Sequence, residues 1–157
     1  MFTNWIGLCS VKVKNVIERY TVRQFAESIG DSHPIFIDEE TGRKSIYKQN
    51  IAPPTFPRLF DYGMIEGMDL PNNGLIHGEQ IYHYERPLLV GEIIYCYQEV
   101  KDYYEKTGRH GVMGFLIIQR YGETEGGHLI FTAKQVVILN ETVRKEVKKD
   151  EKSHRTE

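Results

Sequence analysis

Four segments crowded with β-branched and aromatic residues fill the second half of the chain, and they restrict its fold more than any other feature. Residues 76–86, 92–106, 111–121 and 128–139 are rich in Ile, Val, Tyr and Phe, with turn-forming clusters at 87–91, 107–110 and 122–127 between them. A parallel pair needs a crossover of roughly a dozen residues or more, and these connections are too short for that. The segments therefore predict an antiparallel meander.

The first half is punctuated and helical. Phe2, Trp5, Ile6 and Cys9 follow i, i+3, i+4, i+7 spacing, which predicts a short helix with one apolar face. Residues 15–20 suit a strand. Thr21-Val-Arg-Gln24 then has the form of a capping box opening a helix over 22–29, which Gly30 stops. A further short helix is predicted over 38–45. After the break at Pro53-Pro54, residues 55–67 are expected to form a helix with Phe56, Leu59, Phe60 and Met64 on its apolar stripe. An amphipathic helix followed by a long antiparallel run gives an α+β layer, with the sheet wrapped around that central helix. That is the outline of a single hot-dog fold. Such a sheet leaves an edge open, so pairing with a second copy or a related subunit is expected.

At 157 residues the chain has the length of one domain, assigned here to residues 1–140. Residues 141–157 carry mixed charges, two valines and no aromatic, and are expected to be a disordered tail. With 40% hydrophobic and 27% charged residues, collagen-like, disulfide-dense and wholly disordered classes are excluded. A net charge of −2 shows no Lys/Arg surplus for neutralising phosphates, so no nucleic-acid partner is expected. The two cysteines, Cys9 and Cys96, are far apart, no apolar run reaches the roughly 20 residues of a membrane span, and the N-terminus does not read as a secretory leader. The expected setting is cytoplasmic, without membrane attachment.

Motifs for zinc proteases, serine hydrolases, nucleotide loops and paired zinc cysteines are missing from the sequence, and neither metal nor cofactor is expected. What remains is Gly30-Asp31-Ser-His33-Pro34-Ile-Phe36-Ile-Asp38 in the loop after the first helix, with Ala52-Pro-Pro-Thr55-Phe56, His77-Gly78-Glu79-Gln80, Arg86-Pro-Leu-Leu-Val-Gly-Glu92 and Tyr104-Glu-Lys-Thr-Gly-Arg-His-Gly111 downstream. In order and wording these blocks resemble the MaoC-like (R)-specific enoyl-thioester hydratases and dehydratases. The likeness is closest to their degenerate N-terminal type, the fungal-fatty-acid-synthase-like dehydratase domain.

The resemblance implies reversible addition of water across a trans-2-enoyl thioester on CoA or an acyl carrier protein. Dehydration removes a proton beside the thioester carbonyl and protonates a departing hydroxide, which requires a titratable pair and an oxyanion site. In the family's loop motif, G-D-x-N-P-[LIV]-H, an Asp and a His supply the pair. Here Asp31 fills the Asp position, His33 stands where the motif has Asn, and Phe36 stands where it has His. A phenyl ring carries no proton, and losing a positioned acid or base costs on the order of 10²–10⁴-fold in rate.

Two readings of His33 follow. Pro34 biases it to extended geometry, in which residues two apart share a face, so Asp31 and His33 face one cavity; or Asp31 braces the turn and His33 is a hydrogen-bonded loop residue. Thr55 and Phe56 have the first N–H groups after the prolines and are the candidate oxyanion donors. His77, Gly78, Glu79 and Gln80, with Phe36, are assigned to the substrate cleft by the resemblance. Asp61 and Glu66, on the expected central helix, are the positions a thioesterase would use. The tyrosines at 82, 84, 95, 97, 103 and 104 suit half-buried strands and interfaces, or an aromatic acyl tunnel.

The preferred expectation is the acyl-holding half of an (R)-3-hydroxyacyl-thioester dehydratase, completed by a MaoC-like partner in a heterodimer. A self-sufficient homo-oligomeric hydratase using Asp31 and His33 is the second reading, and a non-catalytic acyl-thioester-binding module the third.

Overall fold

A computed structural model describes residues 2–71, 73–109 and 111–153, with side chains described as far as Val147. Residues 154–157 of the charged tail and His110 of the 104–111 block lie outside the described residues. Five strands, β1 (Val13–Val16), β2 (Leu75–Tyr84), β3 (Ile93–Gly108), β4 (Gly111–Glu123) and β5 (Leu129–Leu139), form one antiparallel sheet in the order β1-β3-β4-β5-β2. The helices are α1 (Arg19–Ser28), α2 (Pro34–Ile37), α3 (Glu39–Lys44) and α4 (Glu141–Ser153), with single 3-10 turns at Phe2–Trp5 and Phe56–Leu59. The fold is α+β, of hot-dog type. Each β-rich segment of the sequence becomes one strand, and β2 returns to pair with β5, leaving β1 and β2 as the edges.

α1 starts at Arg19, earlier than the capping box suggested, and Thr21 lies inside its first turn. The reason is Ile17. Its N–H donates to the Glu92 carbonyl at 3.0 Å and its own carbonyl accepts from Gly91 N–H at 2.7 Å, so the chain is fully pinned just past β1 and turns helical at once. Val22 and Ala26, four apart, bury the inner face of α1. The N-terminal helix shrinks similarly. Phe2 and Trp5 pack edge to face at 5.2 Å, but Gly7, Leu8 and Ser10 exchange backbone hydrogen bonds with Val100 and Gln98 of β3, which draws the chain into extended form and leaves Ile6 and Cys9 exposed.

The expected central helix over 55–67 is replaced by the four-residue turn Phe56–Leu59 and open chain. Side chains from β1, β3 and the segment before β1 take the bonds a helix would keep. The Asn15 amide donates to the Asp61 carbonyl and accepts from Asp61 N–H, both at 2.9 Å; Ser10 Oγ donates to Tyr62 O at 2.6 Å, and Gln98 Nε2 to Gly63 O at 2.7 Å. Asp61 Oδ1 accepts from Gly63 N–H at 2.8 Å, a side-chain turn that competes with helix, and Gly63 sits at φ +70°, where glycine alone is unstrained. Of the expected stripe, Phe56 is buried and Phe60 half-buried, whereas Leu59 is exposed and Met64 is 88% exposed.

The charged segment after Asn140, expected as a disordered tail, is helical over Glu141–Ser153. Asn140 Oδ1 caps it by accepting from Val143 N–H at 2.9 Å, and Val143 and Val147, four apart, are buried against Leu116, Val137 and Leu139. Arg144 is also buried, donating to the Tyr103 hydroxyl and the Val112 carbonyl and pairing with Glu105. Two apolar side chains and one well-partnered arginine suffice to order a segment whose composition is otherwise solvent-seeking. Among the described residues no helix is long and apolar enough to cross a membrane.

Candidate functional site

The loop between α1 and α3 is held by backbone chemistry. Gly30, at φ +74°, ends α1, with its N–H on Glu27 O at 3.1 Å and that of Asp31 on Ala26 O at 2.9 Å. Pro34 opens α2, and His33 before it is held extended at φ −58°, ψ 135°. The imidazole caps α2: Nδ1 accepts from Ile35 N–H at 3.1 Å, which puts the proton of the neutral ring on Nε2. Asp31 and His33 are both exposed, and among the described residues no histidine shares a hydrogen bond with Asp31. Phe36 turns the other way, 8% exposed in a core with Ile17, Val22, Ala26 and Phe56, its ring 6.0 Å from that of His33.

Asn50 anchors this loop. Only 1% exposed, it donates through Nδ2 to the carbonyls of Ile35 (2.8 Å) and Asp38 (2.7 Å) and accepts from Arg19 at 2.7 Å. Its own carbonyl takes Val90 N–H at 3.0 Å, tying the loop to the 86–92 turn. There Arg86 grips Glu92 with two bonds of 2.9 and 3.0 Å, and Glu92 accepts Leu89 N–H as well, which gives the Arg-Pro-Leu…Gly-Glu block a structural role. Between the turn and the Ala-Pro-Pro segment lies a mostly apolar cavity of about 330 Å³ walled by Ile51, Ala52, Pro54, Tyr84, Pro87 and Leu88, together with Glu85 and Arg86. Tyr84 closes one side by donating its hydroxyl to Pro54 O at 2.6 Å, and burial pushes that phenol's pKa up.

Thr55 and Phe56 begin a 3-10 turn, not an α-helix. Phe56 N–H is already donated to Pro53 O at 2.9 Å, and the Phe56 ring is packed edge-on against Phe25 and Phe60 at 5.5 Å each. Thr55 is exposed. Asp61 and Glu66 lie in open chain rather than on a helix, both exposed.

The His77–Gln80 block splits between the two faces of the sheet. A bulge at Gly78 shifts the register, so His77 pairs with Val137 and Glu79 with Val136. Glu79 is thereby turned to the outer face, where it meets Lys134 at 3.0 Å, whereas His77 and Gln80 share the inner face with Gln135. Directly opposed residues lie on one face, so the register lays out transverse rows across β3, β4, β5 and β2. Cys96, Gly122, Phe131 and Tyr84 form an apolar row; Gln98, Arg120, Ala133 and Tyr82 form the next. Val100, Ile118, Gln135 and Gln80 follow, and then Tyr103, Leu116, Val137 and His77. The two central rows place Gln98, Arg120, Gln135 and Gln80 between the two hydrophobic clusters of the core. Oε1 of Gln80 and Oε1 of Gln135 are buried with no hydrogen-bond partner among the described residues.

A model of the FAS1-like, dehydratase domain region family matches residues 4–133. The chain belongs to that family. A UPF0336 protein of Thermobifida fusca is 26% identical over 131 residues, covering 78% of this chain and 82% of the relative. Among solved structures, the HadBC (3R-hydroxyacyl-ACP dehydratase) complex of Mycobacterium tuberculosis has a chain that superimposes with TM-score 0.70 at 18% identity, covering 88% of this chain and 99% of that one. The (R)-hydratase of A. caviae gives TM-score 0.64 at 22% identity, covering 85% and 96%. These likenesses place the fold among the MaoC-like dehydratases and hydratases.

In this FAS1-like dehydratase chain the sequence reading found the loop and the His77–Gln80 block but passed over Gln98, Arg120 and Gln135. A signal for them was present. Along β5 the inner-face positions read Phe131, Ala133, Gln135, Val137, Leu139, and along β4 Gly114, Leu116, Ile118, Arg120, Gly122, each an apolar alternation interrupted once by a polar group. Among the described residues no three His, Cys, Asp or Glu side chains converge as a metal site.

Proposed function

We propose that this chain is the acyl-thioester-holding subunit of an (R)-3-hydroxyacyl-thioester dehydratase and depends on a MaoC-like partner for its proton transfers. The observation that carries the reading is the fate of the motif histidine position: Phe36 is in the core and has no proton to give. His33, the nearest imidazole in sequence, spends Nδ1 on capping α2. The apolar cavity beside Pro54 and Tyr84 suits a hydrocarbon chain, and the 3R-hydroxyacyl-ACP dehydratase among the structural neighbours is itself a complex. Asp31, His33, Thr55, Phe56, Phe36, His77, Gly78 and Gln80 remain the proposed site residues, Asp31 and His33 lining the mouth without carrying the proton transfers and the others shaping the cleft, whereas Glu79, paired with Lys134 on the outer face, is withdrawn from it.

The test is hydration of a crotonyl thioester by the purified chain, alone and with a MaoC-like subunit carrying the full Asp/His motif. Alone, the rate should fall on the order of 10²–10⁴-fold below that of the mixture. His33→Ala should leave the rate of the mixture within about twofold. Turnover by the chain alone at an ordinary enzymatic rate, abolished by His33→Ala, would establish the self-sufficient hydratase instead.

A further inference from the structure

Arg120 is a half-buried guanidinium on the inner face of β4 for which the established fold gives no counter-ion. Its Nε donates to Gln98 Oε1 at 3.2 Å, and its Cζ lies over the Tyr62 ring, 4.7 Å from the centre. That ring is itself fixed, because Tyr62 is buried and its hydroxyl donates to Pro57 O at 2.8 Å. The guanidinium is thus held by Gln98 at Nε and by the Tyr62 ring, and its two terminal nitrogens have no acceptor among the described residues.

Arg58 follows Pro57, whose carbonyl holds the Tyr62 hydroxyl, on the 3-10 turn; burial raises the Tyr82 phenol's pKa while the charges of Arg58 and Arg120 work to lower it. Ala133, between Arg120 and Tyr82 in the same row, interposes only a methyl group between the two long side chains. Arg19, Arg23, Arg86 and Arg144 are matched to carboxylates, Glu39, Glu27, Glu92 and Glu105 respectively, whereas the exposed Arg43 and Arg109 have no ion pair among the described residues. Arg58 and Arg120 form no ion pair among the described residues. Burial disfavours the charged form of the Arg120 guanidinium and the positive charge of Arg58 adds to this, whereas an anion would favour it, and a planar guanidinium offers paired donors to one.

We propose that Arg58, Arg120 and Tyr82 form an oxyanion-binding subsite on the inner face of the sheet, which receives an anionic oxygen group of the acyl-thioester ligand. The inference rests on the functional reading above and extends it: the ligand carries either a carboxylate on its acyl group or the phosphate of its pantetheine arm into this position. Both present oxygens that the guanidinium donates to and that the Tyr82 hydroxyl reaches as a further donor.

The experiment measures affinities of three probes for the full chain by titration calorimetry: the N-acetylcysteamine thioester of butyrate, that of succinate, and phosphopantetheine. If the acyl group supplies the anion, the succinyl thioester binds about tenfold or more tighter than the butyryl one, as expected for a charged hydrogen-bonded pair out of bulk water. Arg120→Met and Arg58→Gln then each remove most of that advantage. If the phosphate supplies it, phosphopantetheine affinity falls by a similar factor in both variants and the two thioesters bind alike. Because Arg58 is exposed, Arg58→Gln reports even if Arg120→Met folds poorly. Unchanged affinity for both anionic probes in Arg58→Gln and in a folded Arg120→Met overturns the subsite while leaving the functional reading intact, provided the butyryl thioester binds. Failure of all three probes to bind overturns both.

Discussion

Asn50→Ala tests the reasoning most directly, because one buried side-chain amide holds the loop to α1. The substitution deletes three hydrogen bonds of 2.7–2.8 Å. Neither abandoned carbonyl is wholly orphaned: Ile35 O keeps a long bond of 3.4 Å from Ile51 N–H, and Asp38 O keeps Gly42 N–H at 3.0 Å. The full penalty of an unsatisfied buried group therefore does not apply. At about 1 kcal/mol for each bond lost, the expected destabilisation is about 2–3 kcal/mol. For a chain of this size each kcal/mol moves the midpoint by about 2–4 °C, so thermal unfolding should drop by roughly 4–12 °C. Asn50→Asp should do no better than alanine, because it keeps the acceptor for Arg19 but points a second oxygen at two carbonyls. Urea unfolding followed by circular dichroism reads both. A loss below about 0.5 kcal/mol with an unchanged denaturant slope would refute the assignment of Asn50 as the joint.

Two further perturbations separate structure from composition. Truncation after Asn140 removes Val143, Val147 and Arg144 from their buried positions and should cost about 2–4 kcal/mol, since full burial of one such side chain is worth about 1.5–3 kcal/mol before the entropy of ordering the helix; an unchanged urea midpoint would mean that α4 does not dock. The cysteines should differ sharply: iodoacetamide at pH 8 labels the exposed Cys9 of the native chain and spares Cys96, whose thiol burial pushes up to about 12. The unfolded chain's Cys96 ionises near 9 and the folded one does not, so this residue's contribution to stability is intact below pH 9 and is lost as pH rises towards 12. Cys96→Ala should flatten that alkaline decline, and a decline unaltered in the variant would assign it to other groups.

The strands were legible because period-two patterning and short polar connections leave a β-rich chain few alternatives, and β2 to β5 appear where the apolar runs stand. The short helix after Asp38 was legible too, since Asp38 Oδ2 accepts from Thr41 N–H at 2.7 Å as an N-cap does. The motif loop could be located, and the substitution of Phe36 for a histidine read, from residue order alone. Tertiary structure decided what sequence spacing could not. The apolar spacing of Phe56, Leu59, Phe60 and Met64 is helical, yet Asn15, Ser10 and Gln98, distant in sequence, claim the backbone groups at 61–63 and dissolve the helix. The charged segment from 141 onward lacks the composition of a core, yet two valines at helical spacing meet an apolar strand end. The placing of Arg120 and Tyr82 in one transverse row is likewise set by strand register, which joins residues separated by dozens of positions. Local patterning fixes which segments are extended or helical; which backbone groups are taken by remote partners, and which charges are left facing one another, exists only once the sheet has closed.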